Sequence, residues 1–321
     1  MKHLEFLSQS ESILLIAITL LLFVLAMLFG YAFFLSGTLI DRAGVNASQK
    51  RVKLIGTFIL MCIGALLVIF GLYYGFKYYS AMFNSFFFVA FPYLCMVVFL
   101  IGSIYRYRKT GFQVSSLSSQ FLEGKKLFWG SQLFHWGILY LFFGHLVAFL
   151  FPRTVIAWNG EPVRLLILEA TAFGFALAAL LGLILFIFRR LSTDRIVMVS
   201  SKMDMLVYVV LLVQIISGIG VAYFDRWGSS WFASSLTPYL WSVFAFSPRV
   251  EIAGNMPLLV QSHMVSAFFI LAIIPFTRFM HFLVAPLDYI WRSYQVVTWN
   301  YNRRAIRSQK TYFPGKKPLN N

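Results

Sequence analysis

The sequence predicts an all-α fold, a polytopic bundle of seven transmembrane helices. Three observations predict it. Hydrophobic residues make up 60% of the 321 and charged residues only 12%, about half the charged share of soluble domains. Apolar runs long enough to cross a bilayer core of about 30 Å recur along the chain. The charges are lopsided, with 27 Lys and Arg against 11 Asp and Glu and a net of +16. This mix excludes a disordered chain and a secreted disulfide scaffold. The long apolar runs also argue against a nucleic-acid binder as the reason for the positive charge.

Taken in order, the spans are expected near residues 12–37, 53–76, 84–105, 131–151, 165–188, 204–224 and 257–285. The first is read as a retained helix rather than a cleaved leader. Glu5 and Glu11 precede it, it is long, and no small-residue cleavage site follows. Prolines and charge clusters fall mostly between the runs. Arg42, Lys50, Arg51 and Lys53 precede the second span, and Arg106, Arg108, Lys109, Lys125 and Lys126 separate the third from the fourth. Arg189, Arg190, Arg195 and Lys202 separate the fifth from the sixth, and seven more basic residues follow the seventh. These segments alternate, so one side of the membrane holds 20 Lys and Arg and the other holds 6, with Arg278 inside the last span. The richer side is expected to be cytoplasmic. The N-terminus then faces out and the C-terminus faces in, in the inner (cytoplasmic) membrane of the cell.

Few acidic residues sit inside these spans, and what the spans do contain is histidine. His135 and His145 lie in the fourth span, and His263 and His281 in the seventh. A histidine inside a membrane is costly without a partner, which makes it a functional candidate. A retinal protein would need a lysine in its last span, and there is none. The fourth span enters from the cytoplasm and the seventh leaves toward it. By depth, His135 therefore pairs with His281 near the inner face, and His145 with His263 near the outer face. Each pair can supply two axial nitrogens to one haem iron, giving two stacked sites. The 18 residues from His263 to His281 make whole turns of an unbroken helix, so both would face one way. The 10 residues from His135 to His145 leave those two about 80° apart. Both pairs can be matched only with a tilt, or with a kink near Pro275.

Neighbouring residues fit this reading. Gly130, Gly137 and Gly144 form a bare stripe for a macrocycle or a second helix. Arg278, one turn before His281, is a candidate partner for a haem propionate. There is no CxxCH, so any haem is held without covalent attachment and is b-type. Cys62 and Cys95 lie within spans and read as packing residues.

The block FFFVAFPYLCMVVFLIGSIYRYR, then SSQ, LFHWGILYLFFGH and QSHMVSAFFILAIIPFTRFMHFLVAPLDYIWRSYQVV resembles the diheme cytochrome b gamma subunit of membrane-bound respiratory nitrate reductase. The resemblance covers roughly residues 83–302. It divides the chain into two extra N-terminal helices at 1–80, a five-helix diheme domain at 81–302 and a basic tail at 303–321. The resemblance implies two haem b groups, the inner on His135 and His281 and the outer on His145 and His263. It implies that quinol is oxidised near the outer face, with electrons passing inward to a cytoplasmic iron–sulfur subunit and its catalytic partner. The family's quinol site involves the positions matching Gly144 and His145 and a loop lysine. That lysine falls on Arg164, which keeps the charge and the donors but not the shape.

Three further expectations complete the reading. Glu169 is a candidate proton acceptor, or else an interfacial carboxylate facing water. Residues 225–256, with Trp227, Trp231, Tyr239 and Trp241, suit an interfacial helix that lids the outer site. The basic tail suits a cytoplasmic partner or the inner leaflet. Two other functions remain open: the same cytochrome serving a sulfur-metabolism or heterodisulfide-reductase-like complex, and a haem-free transporter or assembly protein.

Overall fold

A computed structural model describes residues 46–110, 119 and 122–283. The first expected span and the basic tail lie outside them. The described residues form no strand. Six of their helices are long and apolar enough to cross a membrane: α1 Ala47–Tyr78, α2 Ser80–Lys109, α3 Lys125–Leu150, α4 Pro162–Ser192, α5 Lys202–Phe224 and α6 Leu258–Phe276. Several outrun the apolar stretches by a turn at either end. Backbone groups near the interface still need partners, and flanking basic side chains can reach water from there.

Local chemistry sets the boundaries. Asn46 caps α1 by accepting from Gln49 N at 2.9 Å. Pro162 opens α4, where its missing N–H costs nothing. Ser201 and Asp204 form a capping box at the start of α5. Inside α2, Pro92 has no N–H to give the Phe88 carbonyl, and the helix widens to a π turn over Phe86–Ala90. The buried Tyr239 hydroxyl donates to that Phe88 carbonyl at 3.0 Å instead.

The helices α3 and α4 form an antiparallel hairpin through the short helix Pro152–Asn159. They approach closely because glycine permits it. A Cβ on Gly137 would lie 2.7 Å from the Phe175 carbonyl oxygen, and one on Gly182 would lie 2.4 Å from Phe134 N. Gly130 also faces α4, at Leu185 and Phe186. Two of the three stripe glycines are thus close against a helix. Helix α6 packs between α2 and α5, and α1 packs on α5.

One end of this bundle is basic and tied by ion pairs. Arg189 Nε meets Glu123 Oε2 at 2.7 Å, Arg190 meets Asp204 at 3.1 Å, and Arg51 meets Asp194. The other end carries the aromatic segment. Residues 228–244 of this segment form one continuous helical run that widens to a π turn over Phe232–Leu236, and a second short helix, Val250–Gly254, follows. Pro238 interrupts the backbone ladder, and Trp241 Nε1 and Thr237 Oγ1 fasten the segment to the Phe149 and Ala148 carbonyls of α3.

The last span differs most from expectation. Its α-helix stops at Ile273, tightens to a 3-10 turn over Ile274–Phe276 and breaks at Thr277, which is extended. His281 sits on a separate 3-10 turn, Arg278–Phe282. Pro275 removes one hydrogen bond and clashes with the preceding turn, so the expected bend becomes a break. His263 and His281 are therefore not on one continuous helix, and the whole-turn phase argument does not describe them.

Candidate functional site: four histidines

His135 and His145 stand on α3, His263 on α6 and His281 on the turn beyond the break. Their hydrogen bonds fix their tautomers. His145 Nδ1 donates to the Leu141 carbonyl at 2.7 Å, and His281 Nδ1 to the Arg278 carbonyl at 2.7 Å. His135 Nδ1 donates to the Ser131 carbonyl at 2.9 Å. A carbonyl can only accept, so each of these Nδ1 atoms carries the proton and each Nε2 carries the lone pair. His263 reaches the same state by another route. Its Nε2 lies 3.0 Å from the amide nitrogen of Gln214, which can only donate. Ser266 Oγ bonds the other end of that amide and also the His263 carbonyl. His263 Nδ1–H therefore points to Ser217 Oγ at 2.9 Å.

All four rings thus present an Nε2 lone pair and anchor Nδ1–H to the protein. This is the arrangement a metal-ligating imidazole needs, because the anchored N–H sets ring direction and raises ligand basicity. His135, His145 and His281 are exposed on the protein surface, whereas His263 is only partly so. At His263 the amide of Gln214 already engages Nε2, so a metal would have to replace that donor.

Each ring has its own neighbourhood. His145 and His263 lie within electrostatic reach of each other. Phe232, from the aromatic segment, meets the His145 ring edge-on at 5.2 Å. At the basic end, Phe134 (beside His135) and Phe279 (near His281) join one apolar cluster with Leu183, Leu211 and Ile215. Phe282, next to His281, meets Phe142 edge-on at 5.5 Å, and on α3 Phe142 stands one turn from His145 and two from His135. The donor set fits haem-type axial ligation.

The remaining candidates fall as follows. Gly144 has nothing within 4 Å of a built Cβ, unlike Gly130 and Gly137. Arg164 is exposed and lies over the Trp158 ring at 5.3 Å. Glu169 accepts from Ser229 N at 2.9 Å and Ser229 Oγ at 2.6 Å, so it caps the short aromatic helix. Arg278 turns to Asp204, with Nε to Oδ1 at 2.7 Å. Sequence reasoning missed Gln214, Ser217 and Ser266. Each is a polar residue within an apolar span, and that alone could have marked them.

These observations define a multi-pass helical membrane protein with four histidines, two on α3, one on α6 and one on the turn that follows α6. The family model for the nitrate reductase gamma subunit matches residues 84–300, and the chain belongs to that family. It is 33% identical over 208 residues to the nitrate reductase gamma chain of Bacillus subtilis, covering 64% of this chain and 93% of that one. It is 32% identical over 218 residues to the respiratory nitrate reductase 2 gamma chain of Escherichia coli, covering 67% and 96%. A nitrate reductase-like protein of Mycobacterium tuberculosis is 28% identical over 218 residues, which is 66% of this chain and 33% of that longer one.

Proposed function

We propose that this chain is the quinol-oxidising cytochrome b subunit of a nitrate-reductase-type complex in the cytoplasmic membrane. The supporting observation is the shared donor arrangement of four imidazoles in one bundle, in a chain of this family. The basic end faces the cytoplasm, as the Lys and Arg excess requires. His135 and His281 then form the inner ligand pair, and His145 and His263 the outer pair. Two b haems held by these pairs would supply one-electron carriers stacked across the bilayer.

The chain's own groups do the rest. Arg164, near the outer face, is a donor for a quinol oxygen, orienting the head group and stabilising negative charge as protons leave. Gly144 leaves room beside His145 for that head group. Glu169, already held by Ser229, is a candidate acceptor for a quinol proton, which is then released outside. The basic end, with the tail beyond residue 302, meets the cytoplasmic iron–sulfur and catalytic subunits.

The test is a haem count on the purified protein with a redox titration. Two b-type haems per chain are expected. Replacement of His145 or His263 should remove mainly one, and replacement of His135 or His281 mainly the other. A preparation without bound iron or a b-type spectrum would overturn the reading, and so would selective loss of one and the same haem from His145→Ala and His281→Ala.

A further inference from the structure

Three basic residues end α2: Arg106, Arg108 and Lys109. Arg108 and Lys109 are exposed, as anchors at a membrane surface are, but Arg106 is partly buried. Its Nη1 donates to the Pro275 carbonyl at 2.6 Å and to the Thr277 carbonyl at 2.8 Å. Those carbonyls lie in the break between α6 and the His281 turn. Breaking a helix strands carbonyls that no later N–H can reach, and in a membrane each stranded group is costly. Gly102, one turn before Arg106 on α2, lets the break sit close. A Cβ there would be 3.0 Å from Pro275 Cβ and 3.2 Å from the Phe276 ring. From the other side, Asp204 holds Arg278, and the Arg278 carbonyl holds His281 Nδ1. The break is therefore built between two fixed helices.

We propose that Arg106 is a positioning residue for the inner haem ligand: by bonding both carbonyls of the break, it sets where the His281 imidazole is presented. The proposal rests on the haem reading above. Without the guanidinium, the two carbonyls would be left to find water or to pull the break back toward a helix. Either change would rotate the turn that carries His281. The outer pair, on unbroken parts of α3 and α6, has no such dependence.

The test compares purified wild type, Arg106→Gln, Arg106→Lys and Arg108→Gln by haem content, low-temperature absorption, electron paramagnetic resonance and redox titration. Arg106→Gln should perturb the inner haem alone, as a shifted potential and resonance or as a fall from two haems per chain toward one. Arg106→Lys should restore it in part, since an ammonium can reach one or both carbonyls. Arg108→Gln should match wild type. If Arg106→Gln does not accumulate, Gly102→Leu, which displaces Pro275 from the same side, should give the same inner-haem signature. Both haems unchanged, or both perturbed alike, in whichever of these two variants is measured overturns the proposal. A wild type without haem would instead defeat the functional reading, so the two failures are distinguishable.

Discussion

Asp204 Oδ1 accepts a 2.7 Å hydrogen bond from Arg278 Nε, so a carboxylate opening α5 holds the residue whose carbonyl anchors His281. The same carboxylate takes Arg190 Nη1 at 3.1 Å and Ser201 N at 2.9 Å. One buried acid therefore joins the end of α4, the start of α5 and the turn beyond the break. Removing one partner of a buried ionic cluster strands the others and costs about 3–5 kcal/mol. Asp204→Ala should lose close to that much. Asp204→Asn should lose less, because an amide can still cap Ser201 N. Thermal unfolding in detergent gives the order, and equal midpoints for wild type and Asp204→Ala would contradict it.

Gly137 and Gly144 are seven residues apart on α3 but meet different surroundings. A side chain at Gly137 would collide with backbone, the Phe175 carbonyl, which cannot swing aside. Overpacking of this kind costs about 1–3 kcal/mol. Gly137→Leu should therefore destabilise the α3–α4 hairpin. Gly144→Ala meets nothing and should leave unfolding unchanged or slightly improved, since alanine favours helix by up to about 1 kcal/mol. If Gly144 borders the quinol head group, Gly144→Ala should still slow reduction of the haems by quinol. Rapid-mixing absorbance separates that effect from stability.

His263 depends on side chains where the other three histidines use backbone. Ser217 is the acceptor for its Nδ1–H, and Ser217 itself is buried. Ser217→Ala leaves a buried N–H without a partner, at about 1–3 kcal/mol, and frees the ring to turn. Redox titration should show the outer haem shifted and the inner haem unmoved. Gln214→Ala should keep both haems, because it removes only the donor that competes for Nε2. Loss of the outer haem from Gln214→Ala would show that the amide supports the ligand rather than competing with it.

Much of this was legible in the sequence. The spans of α1 to α5 follow from apolar length, and their ends follow from Pro162, Ser201 and the basic clusters. The four histidines stood out because an imidazole inside an apolar span is costly without a partner. Their tautomers did not, since Nδ1 partners such as Leu141 O are backbone atoms that every residue has. Pro275 announced a disturbance but not its size. The break at Thr277 persists because Arg106, 171 residues earlier, satisfies its carbonyls. Arg278 illustrates the same gap. Its position one turn before His281 suggested a propionate partner, whereas the fold brings Asp204 to it from 74 residues away.

Glu123 gives the structure an acid-sensitive latch outside the spans. Its carboxylate accepts from Lys126 N at 2.7 Å, capping α3, and pairs with the buried Arg189 at the end of α4. Burial alone would raise its pKa, but the Lys126 N–H and the Arg189 guanidinium together outweigh that and hold it below the usual glutamate value. A carboxyl lowered on folding adds stability that is fully present above its unfolded pKa, about 4.3. That stability is lost as pH falls through the lowered value. Wild type should therefore lose thermal stability on acidification below about pH 4. Glu123→Gln should start lower at neutral pH and lose less over the same window, because a glutamine has no proton to gain. Thermal midpoints taken across that range decide it. Parallel curves for the two proteins would assign the acid loss to other carboxylates and leave Glu123 as a cap alone.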